Sequence, residues 1–273
     1  MQKIIMLGVG HGFVYQLYNT CFLMQNDNQY LLVDTGGGVQ IVERLEKLNV
    51  PLTSIHDIFI SHSHTDHILG LFWLLKKLTG MVKKGKYEGK LNIYCNDEVA
   101  NAIRSIYPHL FPNAYMEMIA SYLNIVVVED NETKKIANRK YTFFDAKARG
   151  NKLCGFEMLL DNGKKLIFLG DETCNLKLYD KIRNADYVMH EAFCLDGEQD
   201  IFKPYEKRHS TVKSVCESFD KLNIENLILF HTEDTHIDNR KELYLREGKE
   251  YFHGNIIVPD ELEEILLVED DGR

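Results

Sequence analysis

One segment, residues 57–70, constrains the fold of this chain more than any other. A short apolar run is followed by three histidines and one aspartate within six residues: His62, His64, Asp66 and His67. Alternate side chains of an extended strand point the same way, so the first two histidines can bind one metal ion together. Asp66 and His67 follow on a turn and can face a second ion. Imidazole with carboxylate suits zinc, manganese or iron better than calcium. The segment therefore predicts a metal site at the end of a buried strand.

The composition is that of an ordinary globular protein. The chain has 273 residues, of which 45% are hydrophobic and 27% charged, enough for one large domain or two joined halves. A net charge of −9 disfavours broad binding to phosphate backbones. The six cysteines show no C-x-x-C spacing, and reduced thiols in a cytoplasm are the simplest interpretation. No apolar run reaches about eighteen residues, so no membrane span is expected.

Acidic or imidazole side chains follow several predicted strands. The five positions are Asp34, His62, Asp171, His190 and His231. Ligand sites of α/β sheets lie beyond the carboxyl ends of the strands, and the alternation of strands with helices favours the α/β class. Hairpins are predicted across residues 26–28 and 161–163. Two similar halves, about 1–120 and 121–273, predict two sheets face to face with helices outside.

The H-x-H-x-D-H motif and the Asp34-Thr35-Gly36 turn resemble the metallo-β-lactamase superfamily. The resemblance implies a four-layer αβ/βα sandwich, formed as a single domain over residues 1–273, with two divalent metals, most simply zinc, at its edge. It also implies that His62 and His64 hold one metal. The other metal would be held by Asp66, His67 and His231. Asp171 would bridge both ions.

One ligand that the resemblance leads us to expect is missing. The superfamily usually supplies another histidine before the bridging aspartate, but no histidine lies between His109 and His190. Lys147 stands at the expected place, with Arg149 the other option, and a protonated lysine does not bind metal. The first metal could then be weak, absent or held by a substitute ligand. His11 is a candidate substitute, although an ordinary loop residue is the simpler interpretation.

Two further motifs resemble the ribonuclease Z-like branch of the superfamily. They are His190-Glu191-Ala192-Phe193 and His209-Ser210-Thr211. By this resemblance His209, held by Glu191, donates a proton to the leaving oxygen, and Asp66 orients the water that becomes a metal-bound hydroxide. A carboxylate partner should raise the pKa of the imidazole. The three residues predict a metal-dependent phosphodiesterase or nuclease.

The ribonuclease Z arm that grips tRNA has no counterpart here. About twenty-five residues separate Asp145 from Asp171, and a predicted hairpin fills them. A small phosphodiester, such as a cyclic nucleotide or cyclic ribose phosphate, is therefore at least as plausible a substrate as RNA. Two alternatives remain open: a metal- or ligand-binding protein with impaired catalysis because of Lys147, and a thioester or lactam hydrolase. The branch often forms homodimers, although no stretch of this sequence establishes one.

Overall fold

Two seven-stranded sheets form the framework of the computed structural model, which describes residues 1–268. Within that range there are fourteen strands: β1 Gln2–Gly8, β2 Cys21–Asn26, β3 Gln29–Val33, β4 Asp57–Ile60, β5 Leu91–Cys95, β6 Leu123–Val127, β7 Thr133–Ile136, β8 Arg139–Asp145, β9 Cys154–Leu159, β10 Lys165–Phe168, β11 Tyr187–Glu191, β12 Asn226–Phe230, β13 Asn255–Ile257 and β14 Glu264–Val268. The first sheet has the order β14-β1-β2-β3-β4-β5-β6, and the second has the order β13-β12-β11-β10-β9-β8-β7.

Helices accompany both sheets. In chain order they are α1 Gln40–Lys47, α2 Thr65–Val82, α3 Asp97–Leu110, α4 Asn113–Tyr122, α5 Tyr179–Ile182, α6 Gln199–Phe202, α7 Val212–Asp220 and α8 Arg240–Tyr251. None of these helices within residues 1–268 combines the length and apolar character needed to cross a bilayer.

The alternation of side chains along the strands produces four layers. In β1, Ile4 and Met6 lie in the core between the sheets, whereas Ile5 and Leu7 pack in the core under the first-half helices. Strands buried on both faces need apolar residues at every position, which is why β1 reads as a continuous apolar run. The predicted αβ/βα sandwich is confirmed. A single domain stays a prediction, which the shared core between the sheets supports.

The predicted hairpins are confirmed, and other elements differ from expectation. β2 pairs antiparallel with β3, and β9 with β10 across a turn in which Gly163 has φ 81°. The Gly- and Lys-rich segment 80–90 is typical of an exposed loop or hairpin, but helix α2 continues into it as far as Val82. β14 pairs with β1, a contact between distant parts of the chain that local patterns do not encode.

The sheets bring the polar strand ends together. β3 and β4 are parallel neighbours in the first sheet, and β10, β11 and β12 are parallel neighbours in the second. Asp34 follows β3, and His231 follows β12. Since parallel strands end at the same edge, these side chains converge on one edge of the sandwich.

Candidate metal centre

All six predicted ligands come together in two sets that share Asp171. The first set, here called the buried set, consists of Asp66, His67, Asp171 and His231. The second, called the open set, consists of His62, His64 and Asp171. Within each set, one nitrogen or oxygen atom per residue lies within 4.8 Å of every other. The geometry thus reproduces the grouping implied by the sequence motif.

The buried set is compact and shielded from solvent. His67 Nε2 lies 3.0 Å from Asp171 Oδ2 and 3.3 Å from Asp66 Oδ2, and His231 Nε2 lies 3.4 Å from Asp171 Oδ2. The Asp66 side chain is 12% exposed and the other three are at most 4% exposed. Asp66 sits in the first turn of α2, where the helix dipole favours a negative charge.

A polar partner holds the outer nitrogen of each buried histidine. His67 Nδ1 donates to Asp34 Oδ2 at 2.9 Å. His62 Nδ1 lies 3.0 Å from Ser61 Oγ, and His231 Nδ1 lies 3.0 Å from Thr20 Oγ1. The Ser61 hydroxyl donates its proton to Asp34, and the Thr20 hydroxyl donates its proton to the Gly10 carbonyl. His62 and His231 therefore donate through Nδ1 and keep Nε2 as the unprotonated lone pair that a metal requires.

Asp34 supports the site, a role that the sequence motifs did not assign to it. It accepts hydrogen bonds from the backbone N–H and hydroxyl of Ser61, at 2.8 Å each, as well as from His67. Its φ is 55°, the left-handed region that aspartate tolerates better than most residues. Its position at a strand end within Asp34-Thr35-Gly36 was the available signal, but only the fold shows which ligand it holds.

The charges of the buried set are strongly coupled. Burial favours the neutral forms, but the neighbouring carboxylates of Asp66, Asp171 and Asp34 outweigh it and raise the pKa of His67 well above its usual value. Burial likewise opposes ionisation of Asp171, yet His62 and His67 hold its pKa well below the usual range. The site therefore keeps carboxylates ionised in a buried place, which a cation would compensate.

Buried atoms without hydrogen-bond partners indicate that a metal fits. His62 Nε2, His67 Nε2 and Asp171 Oδ1 have no hydrogen bond, although burying such polar atoms is costly. Burial lowers the pKa of His62 to about 4, so this imidazole is a neutral donor at pH 7. Three orphaned donor atoms converge on one place, and imidazole with carboxylate is the donor set of zinc, manganese or iron.

Among residues 1–268, no fourth candidate ligand joins the open set. His64 is exposed. Lys147 does not replace the missing histidine, because its Nζ lies 3.0 Å from Asp145 Oδ2 and 3.7 Å from Asp130 Oδ2. Neither carboxylate belongs to a metal set, and the surrounding carboxylates, Asp145 first, raise the pKa of Lys147.

His11 does not complete the open set either. Its Nε2 lies 3.0 Å from Glu233 Oε1, and its Nδ1 accepts a hydrogen bond from the Phe13 backbone at 3.2 Å. Both ring nitrogens are therefore engaged. The structure favours an ordinary structural role for this histidine.

The predicted proton donor lies beside the buried set. The His209 ring centre is 5.1 Å from that of His231, and His209 Nδ1 is 3.8 Å from Glu191 Oε2. Phe193 stacks on His209 with ring centres 4.8 Å apart and an interplanar angle of 5°. The two motifs from the sequence thus place an acid–imidazole pair and the ring that supports it next to the candidate ligands.

The expected rise in the pKa of His209 is not found. Burial lowers the pKa of this imidazole, although the Asp171 carboxylate acts in the opposite direction. Burial also raises the pKa of Glu191 well above its usual value, and Ser210 opposes it. Burial thus favours the neutral form of both residues, and not an imidazolium beside a carboxylate.

His190 stands apart from both metal sets. It is buried, its Nδ1 lies 2.6 Å from the Glu191 carbonyl oxygen, and its ring meets Phe219 edge-on at 5.0 Å. Burial lowers its pKa to about 4. His190 lies at the end of β11, where the sequence predicts it. Its side chain packs against Phe219 and away from the metal sets.

Comparisons with known proteins find relatives of two kinds. A model of the family described as "Anti-Pycsar protein Apyc1" matches residues 2–257. The chain is 24% identical over 279 residues to a protein named ribonuclease Z from Archaeoglobus fulgidus, covering 87% of this chain and 88% of that protein. It is 30% identical over 131 residues to the anti-Pycsar protein Apyc1 of Paenibacillus xerothermodurans, covering 47% of this chain and 50% of that protein.

The fold has close counterparts among solved structures. The metallo-β-lactamase fold protein YhfI from Bacillus subtilis superimposes with a TM-score of 0.79 at 17% identity. The alignment covers 97% of this chain and 98% of that chain. At this identity the likeness concerns the fold alone.

Proposed function

This chain belongs to the family described as anti-Pycsar protein Apyc1, within the ribonuclease Z-like branch of the metallo-β-lactamase superfamily, and from that premise we propose that it is a metal-dependent phosphodiesterase of small phosphodiesters. Membership of this superfamily supports the function of a metal-dependent hydrolase. The narrower activity is our proposal, and a cyclic nucleotide is the kind of substrate that it suits best.

The pair of Glu191 and His209 carries the proposal. Hydrolysis of a phosphodiester adds water to phosphorus, breaks one P–O ester bond and expels an alkoxide that needs a proton. His209 lies 5.1 Å from His231 between ring centres and faces Glu191, so a proton on His209 would stand next to the ligand cluster. Phe193 fixes the plane of the imidazole. Thioester hydrolysis does not require such an acid, because a thiolate leaves without a proton.

The ligands divide the remaining work. Two divalent metals, zinc most simply, would be held by the buried and open sets, and when bound they activate water and stabilise developing negative charge. Asp66, at the start of α2, can accept a hydrogen bond from the attacking water and so orient it. Asp34 keeps His67 in one tautomer and orientation.

The short segment between Asp145 and Asp171 supports a small substrate. Between Asp145 and Asp171 the structure has a loop and the β9–β10 hairpin, with no protruding arm in this described stretch. The net charge of −9 also disfavours a long RNA backbone. RNA-like substrates and a homodimer stay predictions.

A comparison of leaving groups tests the activity. The wild-type protein and His209→Ala are assayed with Mn²⁺ or Zn²⁺ on bis-p-nitrophenyl phosphate and on a cyclic nucleotide. The nitrophenolate leaves without help, whereas the ribose alkoxide needs a proton. We expect His209→Ala to lose about 10²–10⁴-fold on the cyclic nucleotide and much less on the nitrophenyl ester.

Equal losses on both substrates would contradict the role of His209 as proton donor. Turnover of thioesters or lactams in place of phosphodiesters would overturn the proposed activity. His64→Ala serves as a second variant, because it removes a ligand without touching the proton donor.

Lys147 favours one other candidate function, a ligand-binding protein with impaired catalysis. The open set has three candidate ligands, and the Lys147 side chain is paired with Asp145 instead of facing them. Absence of turnover under every metal, combined with retained metal binding, would support this alternative.

A further inference from the structure

Two aromatic side chains stand exposed on the loop after β1. The Phe13 side chain is 83% exposed and that of Tyr15 is 92% exposed, although apolar surface of this size normally packs away from water. Their neighbours Val14 and Leu17 turn inward and lie next to Gly10. The loop therefore has an inner face that packs and an outer face made of two rings.

The segment that follows β12 holds this loop firmly. Asp234 Oδ2 accepts hydrogen bonds from the backbone N–H groups of Tyr15 and Gln16, at 2.7 Å each. Glu233 pairs with His11, which in turn accepts from the backbone of Phe13. Asp234 and Glu233 are 7% and 8% exposed. Buried carboxylates thus fix the backbone on both sides of the exposed rings.

The loop lies at the rim of the metal centre. A side-chain carbon added to Gly12 would stand 3.3 Å from the Asp66 carboxylate carbon, so the loop passes directly over this candidate ligand. Glu233 and Asp234 come two and three residues after the ligand His231. The same short segment therefore supplies a ligand and holds the aromatic rim.

We propose that Phe13 and Tyr15 form a platform on which the nucleobase of a nucleotide substrate stacks. The inference rests on the proposed phosphodiesterase function and assigns two residues to the binding of the base. Flat aromatic faces bind any base by stacking, and a platform with a fixed backbone loses little entropy when it binds. A phosphate at the metal centre would leave the attached base at the rim, where the two rings stand.

The proposal is tested by binding and by turnover, with three variants. They are Phe13→Ala, Tyr15→Ala and the double variant. Leu159→Ala is the matched control, because Leu159 is also exposed, at 65%, at the far end of β9 from the site. Binding is measured by the fluorescence of etheno-adenosine monophosphate, which stacking quenches. Turnover compares a cyclic nucleotide with a cyclic ribose phosphate that has no base.

We expect the double variant to bind the fluorescent nucleotide at least about tenfold more weakly. Its KM for the cyclic nucleotide should rise by a similar factor, while kcat and turnover of the base-free phosphate stay unchanged. Phe13→Trp and Tyr15→Phe should retain binding because they keep the aromatic face. Leu159→Ala should behave as wild type.

Several outcomes separate this inference from the proposed function. Loss of nucleotide binding in the double variant, in a protein that turns over no phosphodiester, would support the platform and contradict the activity. Unchanged nucleotide binding would overturn the platform, even where phosphodiester turnover is found. A change in sedimentation without a change in nucleotide binding would show that the rings contact a second copy of the chain, which also overturns it. A wild-type protein that binds no nucleotide would overturn it as well.

Discussion

The buried set and the open set share one aspartate but differ in how they are supported. In the buried set, Asp34 and Thr20 orient the two imidazoles, and all four ligands are largely shielded from water. In the open set, His62 is held by Ser61, but His64 is exposed. The place where a further imidazole is expected is taken by Lys147, which turns toward Asp145.

The difference shows that a ligand motif and a metal site are separate properties. Four candidate ligands come from one short segment. Two of them, Asp66 and His67, belong to the buried set, whose imidazoles are already held by hydrogen bonds. Fixed ligands lose little entropy on binding, and supporting hydrogen bonds hold ring orientation. We therefore expect the two sets to have different affinities, with the buried set filled first.

Removing one imidazole from each set should give the largest contrast. His67→Ala should lower turnover and metal affinity at least about a hundredfold, because loss of a ligand exceeds the loss of a supporting partner. His64→Ala should cost less than His67→Ala at saturating metal, because His64 is exposed and belongs to the less supported set. Metal content by mass spectrometry and titration with a chelating dye measure both.

Folding must be followed in the same pair of variants. His67 is buried between Asp34 and Asp171, whose carboxylates lose a partner in the alanine variant. His67→Gln keeps a polar group there and is the control, with thermal unfolding as the readout. Equal metal loss in His64→Ala and His67→Ala would contradict the expected difference in metal affinity between the two sets.

A smaller effect is expected when the support changes and the ligands stay. Asp34→Asn keeps the shape but removes the charge that holds His67, and metal affinity of the buried set should weaken about 10–100-fold. Asp57→Asn is the matched control, since Asp57 lies at the other end of β4 and bonds Asn92 and Tyr94. Equal effects of the two substitutions would show that Asp34 has no specific role.

The smallest change should come from restoring the missing imidazole. Lys147→His removes a positive charge and offers a ligand near the open set, so bound metal should rise by up to about one ion per chain. Turnover should increase a few-fold. Lys152→His is the control, because Lys152 is an exposed lysine paired with Asp97 nearby. Unchanged metal content in Lys147→His would show that the open set needs no further ligand.

Local patterns were sufficient for the framework of this protein. The apolar run before His62 and the turn at residues 161–163 predict a strand and a hairpin from apolar residues in sequence and from turn residues. The same patterns could not assign β14 to the first sheet, because its partner β1 lies at the opposite end of the chain. Pairing over such a distance depends on the assembled core and on no local signal.

The sequence by itself determined which side chains are candidate metal ligands and which imidazole is the candidate proton donor, because such chemistry is a property of residue types at short spacing. Only the tertiary structure decided how well each ligand is held. It placed Asp34 behind His67, turned Lys147 away to Asp145, and buried Glu191 and His209 so that their pKa values shift toward each other. Burial and second partners arise when distant strands meet, and local sequence does not record them.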